Sequence, residues 1–124
     1  MDPNRHIRNL ALIGFMGTGK STVGHMAAHQ LGFAFTDTDR LIEALAGKPV
    51  AEVFAQDGEE AFRELERQVV ADLARLDRTV IATGGGLGAN PNHLASLKQH
   101  ALVVCLCASP EVIWQRVHHN AHRP

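Results

Sequence analysis

The segment Gly14-Phe15-Met16-Gly17-Thr18-Gly19-Lys20-Ser21 satisfies the pattern G-x-x-x-x-G-K-[ST] at every fixed position. The apolar run Leu10-Ala11-Leu12-Ile13 precedes it and a helical pattern follows it, which is the strand–loop–helix setting in which such a loop holds nucleotide phosphate. Glycines let the backbone bend until several N–H groups face one point. The helix N-terminus adds its positive end. Gly14, Gly17, Thr18 and Gly19 supply the cradle in this reading, Lys20 reaches the β- and γ-phosphates, and Ser21 places its hydroxyl on Mg²⁺. The alternative is a chance glycine-rich turn, and the flanking strand and helix weigh against it.

The rest of the chain alternates apolar runs with helical patterns, which predicts an α/β fold with a parallel sheet and helices on both faces. Strands are expected at 7–14, 33–37, 79–83 and 101–107. The first is apolar on consecutive residues, as a strand covered on both faces should be. Helices are expected at 20–31, with Val23, Ala27 and Leu31 on its inner face and Gly32 ending it, and at 40–46, closed by Gly47-Lys48-Pro49. A short helix follows at 49–56, with Pro49 in its first turn. The clearest helix is 59–76, where Phe62, Leu65, Val69, Leu73 and Leu76 recur at spacings of 3 and 4. Two more fall at 92–99 and after Ser109-Pro110-Glu111, a sequence that reads as N-cap, first-turn proline and acid.

At 124 residues and 45% hydrophobic content, one domain with a real core is expected. A formal charge of -1 gives no global basic field for nucleic acid. The apolar runs fall far short of the roughly 20 residues that span a bilayer. With the short polar start MDPNRHIRN, a cytoplasmic protein without a membrane or nucleic-acid partner is expected. Cys105 and Cys107 share one strand face and lack metal-type spacing, so both are read as reduced core cysteines.

Three further groups carry chemistry. Asp37-Thr38-Asp39 falls where the second strand ends, the side of an open parallel sheet where ligands bind. Two carboxylates so placed can divide the work. One holds Mg²⁺ through water, and the other accepts a hydrogen bond, and the proton, from an attacking hydroxyl. The competing reading is an acidic helix cap, and the nearby phosphate loop favours the functional one. Arg63 lies about 100° round the helix from Phe62, at the border of the apolar stripe. There it can pair bidentately with a ligand carboxylate or simply form an ion pair with Glu59, Glu60 or Glu66. Gly84-Gly85-Gly86, after the third strand, can present bare backbone N–H groups to a ligand or be a flexible turn.

Together these pieces resemble the shikimate kinase family, whose pattern is a P-loop, D-[TS]-D, G-E-x-x-F-R-x-x-E and T-G-G-G. Here they stand as GFMGTGKST, DTD, Gly58-Glu59-Glu60-Ala61-Phe62-Arg63-Glu64-Leu65-Glu66 and Thr83-Gly84-Gly85-Gly86, in that order. The resemblance runs from about Asn9 to Pro124. It implies a single P-loop kinase domain over 1–124, of the nucleoside monophosphate kinase type with strand order 2-3-1-4-5. The implied reaction is transfer of the γ-phosphate of MgATP to the 3-hydroxyl of shikimate. The implied partners are ATP, ADP and shikimate, the cofactor is Mg²⁺, and a monomer is the expectation.

Carried over residue by residue, Asp39 holds shikimate hydroxyls and is the candidate base, and Asp37 joins Ser21 at Mg²⁺. Arg63 grips the shikimate carboxylate within a substrate-binding segment at about 34–62, and Gly85 and Gly86 line the pocket. Thr22 touches a nucleotide phosphate, Arg116 lies against adenine, and Arg123 contacts phosphates from a lid beginning at 118–124. Family members continue past this point through the rest of the lid, a fifth strand, an adenine-contacting loop and a C-terminal helix. In that light the chain is expected to be C-terminally incomplete, with its fourth strand left as an apolar edge and its activity alone impaired. His118, His119 and His122 match no zinc spacing and read as polar lid. Gluconate kinase, or a kinase-derived sensor without catalysis, are the rival functions. The first is not known for this F-R-x-x-E helix followed by T-G-G-G, and the second has no need of the Mg²⁺-binding set.

Overall fold

The structure is a computed structural model that describes residues 7–14, 20–84 and 87–106. Four parallel strands form one sheet: β1 (Asn9–Gly14), β2 (Ala34–Asp37), β3 (Thr79–Ala82) and β4 (Ala101–Leu106), in spatial order β2-β3-β1-β4. That is the expected 2-3-1-4. The register sets Leu10 against Val80 and Leu102, and Asp37 against Ala82. The C-terminal ends of β1, β2 and β3 therefore come together at one rim, with Gly14, Asp37 and Thr83-Gly84 side by side.

Helix α1 (Lys20–Leu31) covers one face. Leu12 and Val80 of the sheet are buried beneath it against Ala28 of the helix, with Val23, Ala27 and Phe35 packed around them. Leu31 was expected on that inner face but is 49% exposed. The close approach is made by small residues instead, since a Cβ on Gly24 would stand 2.6 Å from the Phe35 ring. Gly32 ends the helix at φ +68, a conformation costly for other residues.

The second face is covered by α2 (Thr38–Ala46), α4 (Gly58–Leu73) and α5 (Pro91–Lys98). Ala11, Ile42, Phe62, Val69, Leu73, Ile81 and Leu97 make its core. Between α2 and α4 runs α3 (Val50–Glu52), which continues as a π-turn over Val53–Asp57. Pro49 is the residue capping α3, not its first helical residue, and the Val50 N–H is taken by Glu43 Oε2 at 2.9 Å. Helix α4 stops at Leu73, so Leu76 reaches the core from the following turn. Leu73 is fully buried. Leu73→Ala should cost about 2–5 kcal/mol in chemical unfolding, whereas Leu45→Ala, on an exposed side chain, should stay within about 0.5 kcal/mol.

At the opposite rim the strand starts are tied by polar groups. Asn9 Oδ1 accepts from the Thr79 N–H at 3.0 Å, and its Nδ2 donates to Leu76 O and lies 2.9 Å from His100 Nδ1. On β4, Leu102 and Val104 are 58% and 37% exposed. Among the described residues β4 pairs with β1 alone, so the expected apolar edge is present. Cys105 is exposed on it rather than buried in the core, because the strand is covered less completely than a central one. Cys107 and the helix expected after Ser109 lie outside the described residues.

Candidate active site

β1 delivers Gly14 to the rim at φ +146, pressed against the backbone of Leu106 so closely that a Cβ would overlap its carbonyl. Only glycine fits there. Lys20 opens α1 and donates from Nζ to the Gly14 carbonyl at 2.8 Å, so the described ends of the phosphate loop meet. Gly17, Thr18 and Gly19 lie outside the described residues. Ser21 and Thr22 are exposed in the first turn of α1, whose N-terminal amides face the same rim.

The three residues after β2 do three different things. Asp37 caps α2 through Oδ1, which accepts from the Asp39 N–H at 2.9 Å, and its Oδ2 accepts from Ser21 Oγ at 3.3 Å. The cap reading of this acid is realised through Oδ1, while Oδ2 is turned toward the Ser21 hydroxyl. A hydroxyl and a carboxylate oxygen held together beside a phosphate loop suit Mg²⁺, which takes one or two such ligands and completes its shell with phosphate and water. Among the described residues no cluster of three or more His, Cys, Asp or Glu side chains forms an all-protein metal cage.

Thr38 was given no role by the sequence reading. Its side chain is fully buried, and its Oγ1 accepts from the Gly84 N–H at 2.7 Å. The restriction of the middle position of the acidic tripeptide to a small hydroxyl residue was the available signal. The bond also changes the role expected of Gly84. Its amide is used inside the protein and is not offered to a ligand. The missing side chain matters for another reason: a Cβ there would lie 2.6 Å from Asp39 Cγ and 2.8 Å from Oδ2. Gly84 makes room for the Asp39 carboxylate. Gly85 and Gly86 lie outside the described residues.

Burial raises the pKa of Asp39 above the usual carboxylate value, and the charges of Asp37, Glu43 and Glu66 raise it further, opposed by Lys20. A carboxylate in that setting is a better proton acceptor than one in water. It feels the phosphate-side cation on one hand and Glu66 on the other.

Glu66 leads to the last expected residue. It occupies the buried stripe of α4, four residues after Phe62 and three before Val69, and is only 3% exposed. Arg63 donates from Nη1 to Glu66 Oε1 at 3.2 Å and from Nη2 to Glu59 Oε1 at 3.4 Å, with its guanidinium 5.6 Å from the Phe62 ring centroid. The competing ion-pair reading of Arg63 is thus realised in this state. One of its partners is a buried acid, and Arg63 itself is part-exposed over the Phe62 ring, which also packs at 4.4 Å against the ring of the exposed Phe54. Arg116 and Arg123 lie outside the described residues.

The sequence profile described as "Shikimate kinase" matches residues 16–124. A shikimate kinase from Caldanaerobacter subterraneus subsp. tengcongensis is 47% identical over 118 residues, covering 95% of this chain and 69% of that protein. The solved shikimate kinase from Acinetobacter baumannii in complex with shikimate superposes with a TM-score of 0.78 at 37% identity, over 95% of this chain and 66% of that one. The chain thus spans about two thirds of the length of these relatives. A gluconokinase from Sinorhizobium meliloti shares the fold at a TM-score of 0.55, with 21% identity over 96% of this chain and 68% of that one. The four motifs, the 2-3-1-4 sheet and the identity maintained along almost the whole chain agree: this chain belongs to the shikimate kinase family of ATP-dependent phosphotransferases.

Proposed function

We propose that this site transfers the γ-phosphate of ATP to the 3-hydroxyl of shikimate, giving shikimate 3-phosphate and ADP. The observation that carries the reading is the placement of Asp39. Its carboxylate stands against Gly84, between the electrostatic reach of Lys20 and that of Glu66, which carries Arg63.

Phosphoryl transfer asks mainly for positioning and charge neutralisation. Lys20, the loop amides and the α1 terminus bind the phosphates. Ser21 and Asp37 would hold Mg²⁺, which would supply neutralisation of phosphate charge. Asp39 orients the acceptor hydroxyl and takes its proton as the new P–O bond forms. Arg63 pairs with the acceptor carboxylate, within a binding segment of about 34–62, a stretch that runs through β2, α2, α3 and the start of α4. By family resemblance, Thr22 and Arg123 contact phosphates, Arg116 lies against adenine, Gly85 and Gly86 line the acceptor pocket, and the lid begins at 118–124 and excludes water when closed. The protein acts as a cytoplasmic monomer in this reading. No helix among the described residues is long and apolar enough to cross a membrane.

The test is an ADP-release assay with shikimate and gluconate offered side by side to the complete gene product. Shikimate-dependent ADP production at least about a hundredfold above gluconate is expected, because both acceptors carry a carboxylate for Arg63 but only a rigid ring of the right span sets its hydroxyl against Asp39 at the same time, and misplacing a reacting group by about 1 Å costs on the order of a hundredfold. Equal rates would remove the assignment. Ligand-induced stabilisation without any ADP release would favour the sensor.

A further inference from the structure

Helix α5 presents one polar side chain to the second core face. His93 is 8% exposed, and its Nδ1 is buried without a hydrogen-bond partner. That nitrogen lies 3.6 Å from Glu66 Oε1, the same oxygen that accepts from Arg63 at 3.2 Å. A gap of 3.6 Å is too long for a hydrogen bond. A buried ring nitrogen without a partner is costly, and a buried carboxylate that loses its donor is costlier. Closing this one gap, with the imidazole proton on Nδ1, satisfies both.

The deficit matters because Arg63 has two employers. Its contact with Glu59 is long and solvent-exposed, so little holds it there. Its bond to Glu66 is the strong one, because turning away would strand a buried acid. We propose that His93 is a positioning residue for the acceptor: it is the reserve donor to Glu66, taking over Oε1 when Arg63 swings toward the acceptor's carboxylate. This rests on the reading of Arg63 as the carboxylate grip. Without His93, Arg63 can serve an anionic acceptor only at the expense of Glu66. The effect falls on recognition of the anionic group, leaving nucleotide binding and the transfer step alone.

Two measurements on the complete gene product separate this proposal from the function it builds on. The first needs no substrate. His93→Phe removes the donor at similar volume, and a double-mutant cycle with Glu66→Gln, followed by denaturant unfolding, should show clear non-additivity; additive effects overturn the pairing. The second is kinetic. His93→Phe should raise KM for shikimate about tenfold, the scale of one hydrogen bond to a charged group, with kcat and KM for ATP within about twofold. His93→Asn, which keeps a donor, should recover most of the loss, and shikimate methyl ester should bind the His93→Phe and unchanged proteins equally. An unchanged KM, or an equal loss on acid and ester, overturns the positioning role. His93→Leu serves the same arms should the phenyl ring prevent folding. If the unaltered protein phosphorylates no shikimate, the acceptor assignment falls, while the cycle still decides the His93–Glu66 pairing.

Discussion

Asp39→Asn is expected to abolish phosphoryl transfer and, at the same time, to make the protein harder to unfold at neutral pH. The first effect follows from the loss of the proton acceptor, worth about 10²–10⁴ in kcat for a positioned general base. The amide still fills the space beside Gly84, so ATP binding should survive. The second effect follows from the raised pKa. Burial and three neighbouring acids disfavour the charged form of Asp39 in the folded chain. A carboxyl with a folded pKa above its unfolded value is a cost once ionised. By linkage, that cost is absent below the unfolded pKa and grows as pH rises through the folded one. A neutral asparagine escapes it. The Tm of Asp39→Asn should therefore exceed that of the unaltered protein at pH 7, and the gap should narrow toward pH 4. The activity of the unaltered protein should rise with pH across the Asp39 titration, which lies above the ordinary carboxylate range. Full activity of the Asn variant, or a Tm gap independent of pH, would contradict the assigned role and its electrostatic cause respectively.

Gly84→Ala is expected to act on catalysis almost as strongly, although Gly84 itself offers no group to a ligand. The added methyl would sit 2.6 Å from Asp39 Cγ, far inside van der Waals contact. The Gly84 amide is fixed to buried Thr38 Oγ1, so the loop cannot retreat without breaking that bond. The carboxylate must rotate away instead. Misplacing a reacting group by about 1 Å costs on the order of a hundredfold in rate. Asp39 is part-exposed and can reorient toward water, so unfolding free energy should change by less than about 1.5 kcal/mol. A large loss of kcat with retained stability, measured by steady-state kinetics beside denaturant unfolding, is the expected pair of results. Loss of both together would point to a collapsed loop instead of a displaced base.

The sequence made the nucleotide side legible because its chemistry is local. A phosphate loop is a contiguous run of residues with a strand before and a helix after, and α1 begins and ends where the pattern put it. The parallel sheet was equally readable, since β1 and β3 are apolar on both faces. What escaped were contacts between segments far apart in the chain. Nothing near Thr38 in sequence announces Gly84, and nothing near Glu66 announces His93. In the sequence Glu66 figures only as an ion-pair partner for Arg63 and as the end of the F-R-x-x-E pattern, and its burial follows from sharing the apolar side of α4 with Phe62 and Val69. Leu31 and Cys105 were placed inward on pattern alone, whereas exposure at a helix end or an edge strand depends on what else covers it.

The tripeptide after β2 has a consequence for how such a catalyst can change over time. In the proposed mechanism Asp37, Thr38 and Asp39 join the metal-ligand position, the glycine loop and the proton acceptor within three adjacent residues. An insertion, a deletion or most substitutions there would disturb all three at once. Recognition of the acceptor is distributed differently. Arg63, Glu66 and His93 sit on two separate helices that meet only through side-chain packing. New acceptors can therefore be explored by exchanging residues on the facing sides of α4 and α5, one at a time, while the transfer machinery at the strand tips stays fixed. Variation among descendants of this fold should accordingly concentrate on that helix pair and spare the acidic tripeptide.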